Sequence, residues 1–588
     1  MKTFHPRLLA MLIAGISFNA TAVTQDKQAG ATADLVFRNA AVYTMEKSRP
    51  RAQAIAVRNG TYLDVGSNAD IQKWIGPNTK VVDLGGAMAM PGINDVHEHP
   101  LDGGYEMLYS CNFPDSGGLE QILDAVRACA KKAEPGDWIV GGAWSSRLLG
   151  DLSTLEALKA LDQASAGHPV FLRDDTFHNR WVNSAALSLA GMTDKTANPP
   201  DGEIVKDVQS GQLTGVIKEF PAFRAIEAKI PPRQPARMTK AARAAIELDN
   251  TFGITGVQDA YSPETYLKIW RDIDQHGGIN AWVVASLPAM PSPNATDRYG
   301  EALVAVRDEY RTEHLRPDFA KLFLDGVPPA RTALFLKPYL PDEAHGAHFH
   351  GHANYSETEL TDILLRMDKQ GIPVKIHATG DGSVHLALEA IAKVRKANGM
   401  NGPRHHIAHA SFIEPSDIPR FRKLNVVADE SPMLWFPTGL WYATAAVLGK
   451  VRAEHFWPMK DLQTAGALLA GGSDWPAGQD TPNPWIGIEG MVTRRDPLGQ
   501  FPGALWPAQA IDLPSALQAY TLNSAEAMGL GAKTGSIKIG KSADLIVLDR
   551  NVFEIPPEQI HQVTVTQTYF QGRLVHEQQS SQSVHKTD

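Results

Sequence analysis

Residues 91–100 read PGINDVHEHP, a short approach through Ile93 and Val96 that ends in His97, with His99 two positions on. Alternate side chains of an extended segment share a face, so both imidazoles can point at one cation. A lone His-x-His says little in a chain with 20 histidines. Seven later strand-like runs close in a comparable way, near Asp259 (GITGVQD), Ser286 (INAWVVAS), Lys321 (FAK), His377 (PVKIH), His409 (HIAH), Ala428 (NVVA) and Asp474 (ALLAGGSD). Helical patterns such as SETELTDILLRMDKQ and DGSVHLALEAIAKVRKA alternate with these runs. Eight strand–helix units predict an α/β chain folded as a TIM-type (β/α)8 barrel over residues 91–529, with its chemistry at the C-terminal ends of the strands.

Outward from that stretch, about 150 residues separate the first strand from the second, where a connection of two to six is usual. Residues 101–250 therefore read as a folded insertion over the barrel mouth. Before the barrel, DLVFRNAAVYTM, AIAVRNGTYLDVG and KVVDLGGAMAM are strand-like runs separated by Asn-Gly and Gly-Gly turns. After it, GSIKIGKSADLIVLDRN and VTQTYFQGRLVHE return to the same style. The two ends, 33–90 and 530–580, predict one composite β-sandwich domain.

Lys2 and Arg7 precede an apolar run from Leu8 to Phe18, and Ala20-Thr21-Ala22 follows. This is the pattern of a secretory signal over residues 1–22, cut after Ala22; the run is too short for a membrane span. A periplasmic or secreted protein is expected, with no membrane attachment after cleavage. In an oxidising compartment Cys111 and Cys129, the two cysteines, are expected to form a disulfide. The 588 residues are 43% hydrophobic, enough for large cores. Lysine and arginine total 56 against 65 acids, a net charge of −9, which argues against nucleic acid as a partner and leaves a small-molecule substrate. A homo-oligomer is compatible with the sequence.

His97, His99, His377, His409 and Asp474 share the catalytic face of one barrel, and neutral imidazole with carboxylate is the ligand set that zinc or a similar divalent ion prefers. Such an ion acidifies a water and polarises a carbonyl.

The motifs PGINDVHEHP, KLFLDG, PVKIHATGDG, RHHIAHA and GGSDWP, in that order between β-rich ends, resemble the metal-dependent amidohydrolase superfamily. HNRWVNSAAL, TGVIKE and GSIKIGKSADLIVLD resemble its amidohydrolase family 3 branch, that of YtcJ-like proteins and N-substituted formamide deformylase. The similarity runs from about Ala33 to Glu577. It implies that His97, His99, His377 and His409 are metal ligands, and that Asp474 contacts the metal and takes a proton from the attacking water. KLFLDG is similar to the segment of hydantoinase-like members in which a carboxylated lysine bridges two metals, so the resemblance implies that role for Lys321 and a site of one or two ions.

Substrate-facing candidates are His178 and Asn183 in HNRWVNSAAL, Glu219 in TGVIKE, Asp381 after the fifth strand, and Arg331 in DGVPPARTA, where Val327-Pro328-Pro329 replaces the family's Ser-Leu-Gly. Asp381 reads equally as a helix cap. HGAHFHGH, with His345, His348, His350 and His352, is expected to be a solvated loop near the mouth, and Trp435, Phe436 and Trp441 would suit an apolar or aromatic substrate. The expected reaction is hydrolysis of a C–N bond in a small N-acyl or N-substituted molecule. Ester, lactone or cyclic-amide hydrolysis at the same site, ring deamination, and a non-catalytic periplasmic binding or regulatory protein stand as alternatives.

Overall fold

The computed structural model describes residues 32–579 apart from 115–116, 201, 292–296 and 479; the signal stretch 1–22 lies outside the described residues. Eight strands form a parallel sheet in sequential order: β1 (Ile93–Glu98), β2 (Ile254–Asp259), β3 (Trp282–Pro288), β4 (Leu315–Phe323), β5 (Val374–Ala378), β6 (His406–His409), β7 (Val427–Glu430) and β8 (Leu468–Gly471). Nearly every residue of these strands is buried, because helices cover one side and the barrel interior fills the other. Ile254, Val257, Val283, Leu322, Ile376 and Ile407 share one core with helix residues such as Trp270, Leu364 and Leu388. Cutting one of these large side chains to alanine would cost about 2–5 kcal/mol.

The barrel closes just beyond β8. Asp474 N donates to His97 O (2.7 Å), and His99 N donates to Trp475 O (2.9 Å). Gly472 makes this seam sterically feasible, since a Cβ there would lie 2.5 Å from His97 N.

β7 runs two residues past the Ala428 read from the sequence, taking in the fully buried Asp429 and Glu430. Charged residues at a strand end read as a terminus, and only partners on distant strands keep Asp429 inside.

Two further sheets pack as a sandwich. One has the order Thr61–Gly66, Ala54–Arg58, Leu35–Arg38, Lys80–Asp83. The other joins Leu545–Leu548, Val565–Phe570 and Arg573–Glu577 to Met88–Pro91, Ala41–Tyr43 and Arg51–Ala52. The two ends of the chain meet at Leu545↔Pro91 and Val547↔Ala89, and Phe37 stands edge-on to Tyr569 with ring centroids 4.8 Å apart.

Between β1 and β2 a six-stranded mixed sheet runs from Cys111–Asn112 to Leu213–Lys218, with its own core of Ile122, Val126, Trp144, Leu161, Trp181 and Val216. Cys111 is disulfide-bonded to Cys129 of the helix Leu119–Ala130. The helix Pro235–Thr251, which the sequence reading put inside the 101–250 insertion, instead packs Met238, Ala242 and Ile246 into the barrel core. Its apolar face alone does not say which layer it covers. Among the described residues no helix is long and apolar enough to cross a membrane.

Candidate active site

The strand ends converge on one point. Asp474 Oδ1 lies 3.5 Å from His97 Nε2 and 3.4 Å from His99 Nε2, and its Oδ2 lies 3.8 Å from His409 Nδ1. Ligand atoms of His97, His99 and Asp474 fall within 4.8 Å of one another, close enough to hold one ion. The His409 ring is 4.8 Å from that of His97 and 4.7 Å from that of His377, centroid to centroid. Lys321 Nζ is 3.2 Å from His97 Nε2. His409 (φ 70°) and Asp474 (φ 60°) hold left-handed backbone conformations, a strain typical of functional sites.

Beneath these groups lies a charged network that the sequence revealed only in part. Asp429 on β7 accepts hydrogen bonds from His97 Nδ1 (3.2 Å), His406 Nδ1 (3.0 Å) and Lys375 Nζ. Lys375 also donates to Val96 O (2.7 Å). Asp95 accepts from His97 N (2.9 Å) and Ser473 N (2.8 Å), tying β1 to the loop after β8. With Nδ1 donating to Asp429, His97 presents the lone pair of Nε2, the form a metal requires. Asp325 accepts from Thr379 N (3.0 Å) and Gly380 N (3.1 Å), and stands 3.3 Å from His377 Nδ1. It belongs to KLFLDG, the segment already quoted for Lys321, so a signal for it was present. The partners of Asp429 come from the first, fifth and sixth strands and left none.

Burial prepares the donors. It drives the His97 ring down to about 3, with Lys321 and Lys375 adding to the effect, and it also lowers His377 and His409. These imidazoles are neutral near pH 7. Burial works to raise Asp474, but His97, His409 and His99 hold its carboxyl well below the usual range. Burial, seconded by Lys375, pulls the Lys321 amine down to about 7. Lys375 spends its charge on Asp429, which leaves Lys321 as the buried amine facing the cavity.

The cluster forms the floor of a cavity of about 1110 Å³. His178 and Glu219 line it from the insertion, with His178 Nδ1 2.9 Å from Glu219 Oε2. Glu219 Oε1 accepts from Thr332 Oγ1 (2.6 Å) in the loop after β4. Burial opposes charge on both members of this pair, yet their mutual attraction prevails, raising His178 and lowering Glu219. The His178 ring is 6.0 Å from that of His377.

Arg331 and Asp381 are not among the described residues that line the cavity. Arg331 pairs with Asp342 (2.9 Å) and donates to Leu340 O (2.7 Å), pinning its own loop. Asp381 begins the helix Asp381–Asn398 and accepts from Leu336 N (2.7 Å). Asn183 caps the helix Ser184–Leu189, accepting from Ala186 N (3.0 Å). Of the histidine-rich loop only His352 lines the cavity; of the three aromatics, only Phe436 does.

An eight-stranded parallel barrel with imidazoles, a carboxylate and a lysine gathered at its strand ends is the frame of a metal-dependent hydrolase. Residues 80–576 match the model of the amidohydrolase family (Amidohydro_3), and the chain belongs to that family, whose reaction is hydrolysis of carbon–nitrogen bonds. It is 28% identical over 561 residues to the protein LONG AFTER FAR-RED 3 of Arabidopsis thaliana, covering 93% of this chain and 92% of the relative. It is 27% identical to the N-substituted formamide deformylase of Arthrobacter pascens, covering 93% and 99%. In fold it is similar to an uncharacterized metal-dependent hydrolase from Pyrococcus horikoshii OT3, with TM-score 0.68, 24% identity, and coverage of 89% and 99%.

Proposed function

We propose that the protein is a periplasmic or secreted enzyme that hydrolyses the amide bond of a small N-acyl or N-substituted molecule, using a water activated at a divalent cation, with zinc the best match to the donors. The observation that carries this reading is the grouping of His97, His99 and Asp474 on the floor of a cavity large enough for a small organic substrate. The signal pattern of residues 1–22 supports export, and the name of the Arthrobacter pascens relative supports an N-substituted amide.

The donor set fits the cation: buried neutral imidazoles from His97, His377 and His409, the imidazole of His99, and the ionised Asp474 are the ligands such an ion takes. Lys321 would add a carbamate bridge between two ions, since its amine reaches neutrality near pH 7, the state that adds carbon dioxide. When bound, the cation supplies Lewis acidity to the carbonyl and lowers the pKa of a water.

Asp474, kept ionised by its histidines, receives the proton of the attacking water as the new C–O bond forms. As the C–N bond breaks, Asp474 passes that proton to the leaving nitrogen, so an amine and a carboxylic acid depart and the base is restored. His178 and Glu219 face the substrate from the insertion.

The test is a panel of N-acyl amino acids, N-substituted formamides, lactones and aryl esters, assayed with metal-loaded and chelator-treated protein. Amide turnover lost to the chelator and restored by zinc is the expected result. Turnover confined to esters or lactones would overturn it.

A further inference from the structure

We propose that the substrate carries a long apolar acyl arm, and that this arm lies along the wall built by the loops after β7 and β8. The inference rests on the amide-hydrolase reading above and deepens it. The cavity does not end at the metal ligands: beyond His409 and Asp474 it is lined by Leu434, Phe436 and Leu440 from the segment after β7, Leu440 lying on the helix Gly439–Leu448, and by Ile486, Leu498 and Phe501 from the segment after β8, Ile486 lying on the helix Pro484–Thr493. Leu434, Phe436 and Ile486 are nearly buried, whereas Leu498 at the rim is 57% exposed. Tyr442, 43% exposed, lies 5.6 Å from Phe501 between ring centroids and extends the apolar surface outside the mouth. Thr438, Thr481 and Gln500 also line these segments, but the large side chains there are mainly apolar, and apolar surface that reaches from a catalytic floor toward solvent marks a ligand groove.

Positive charge divides the cavity in the same sense. The arginines that line it, Arg147, Arg180, Arg224 and Arg233, all come from the segment between β1 and β2. The wall after β7 and β8 contributes no arginine or lysine to the lining among the described residues. Two acids, Asp480 and Asp496, line that wall; Asp496 directs its carboxylate to the backbone N–H groups of Leu498, Gln500 and Phe501, so it shapes the loop and is already hydrogen-bonded.

Size points the same way. At about 1110 Å³ the cavity lies just above the usual range for small-molecule sites, and a formyl or acetyl group would leave the apolar wall facing water. A substrate whose carbonyl sits at the floor, with its polar part toward the arginines, directs its acyl carbons onto that wall.

The experiment uses the metal-loaded full chain and a series of N-acylglycines from acetyl to dodecanoyl, with 4-nitrophenyl esters of the same acids alongside. We expect kcat/KM to rise about two- to fourfold per added methylene until the wall is covered. In Leu498→Asp and Leu440→Gln the ratio of dodecanoyl to acetyl kcat/KM should fall at least about tenfold. Leu498 is exposed, so its replacement does not endanger the fold. Rates that are flat or falling with chain length, or an unchanged ratio in both variants, would overturn the inference while leaving the amidase reading intact. Esters cleaved with the rising slope while every N-acylglycine is inert would retain the wall and remove the amidase. If nothing is cleaved, calorimetry with acetate and decanoate decides: tighter decanoate binding that is lost in Leu498→Asp supports the wall, and equal affinities dismiss it.

Discussion

The floor and the walls of the cavity are built on different terms. Every floor group stands at or just past the end of a parallel strand, clamped by neighbouring strands and by the buried carboxylates Asp95, Asp325 and Asp429. The walls are loops and an insertion with a separate core and its own disulfide. Chemistry placed on rigid strand ends stays constant while loops vary, so under the proposed function this division would assign the reaction to the floor and the choice of substrate to the walls. A floor substitution should then impair all substrates alike, and a change in the insertion away from the cavity lining should alter stability alone.

The largest effect is expected at Asp474. Asp474→Asn should lower turnover by at least about 10²-fold for short and long substrates equally, with metal content unchanged by elemental analysis. A loss confined to one acyl length would put Asp474 among the selecting groups and break the comparison.

Lys321→Ala comes next. With bicarbonate supplied, the natural protein should hold close to two ions per chain, and the variant one, along with the loss of most activity. The Lys321 amine is pulled down to about 7, so it is neutral above that pH and protonated below it. Metal content loaded at pH 8 should therefore exceed that at pH 6, a difference that Lys321→Ala should abolish. One ion in both proteins at both pH values, with similar turnover, would leave Lys321 a structural residue.

The smallest effect on turnover belongs to the insertion disulfide. Replacing Cys111 and Cys129 together by serine releases an 18-residue separation and should cost roughly 2–4 kcal/mol, seen as earlier thermal unfolding, with kcat and bound metal preserved. A collapse of metal binding in that variant would show that the insertion and the floor are one cooperative body.

The floor was legible in the sequence because parallel strands buried on both faces read as apolar runs, and His97, His377, His409 and Asp474 end or follow such runs. The walls were less so. His178 and Glu219 stood out through resemblance, whereas Leu434, Ile486, Leu498 and Phe501 look like any packing residues in a chain that is 43% hydrophobic. Arg331 and Asp381 carry charges beside the right strands, yet each is occupied by nearby backbone or an acid. Asp429 escaped for the opposite reason, since a buried carboxylate is recognisable only through partners hundreds of residues away or on other strands.

The seam between β1 and the loop after β8 sets a timetable. His97 and His99 emerge from the ribosome early, but Asp474 and the backbone that locks β1 in place are made some 375 positions later, and the sandwich sheet is completed later still by Leu545–Leu548. An ion met by the growing chain finds two imidazoles on an open strand edge, a site with little power to choose. Under the proposed function, full ligation would wait for closure of the ring, so the ion resident in the finished enzyme would be selected by the medium in which the last strand docks, whichever metals surround the chain during its synthesis.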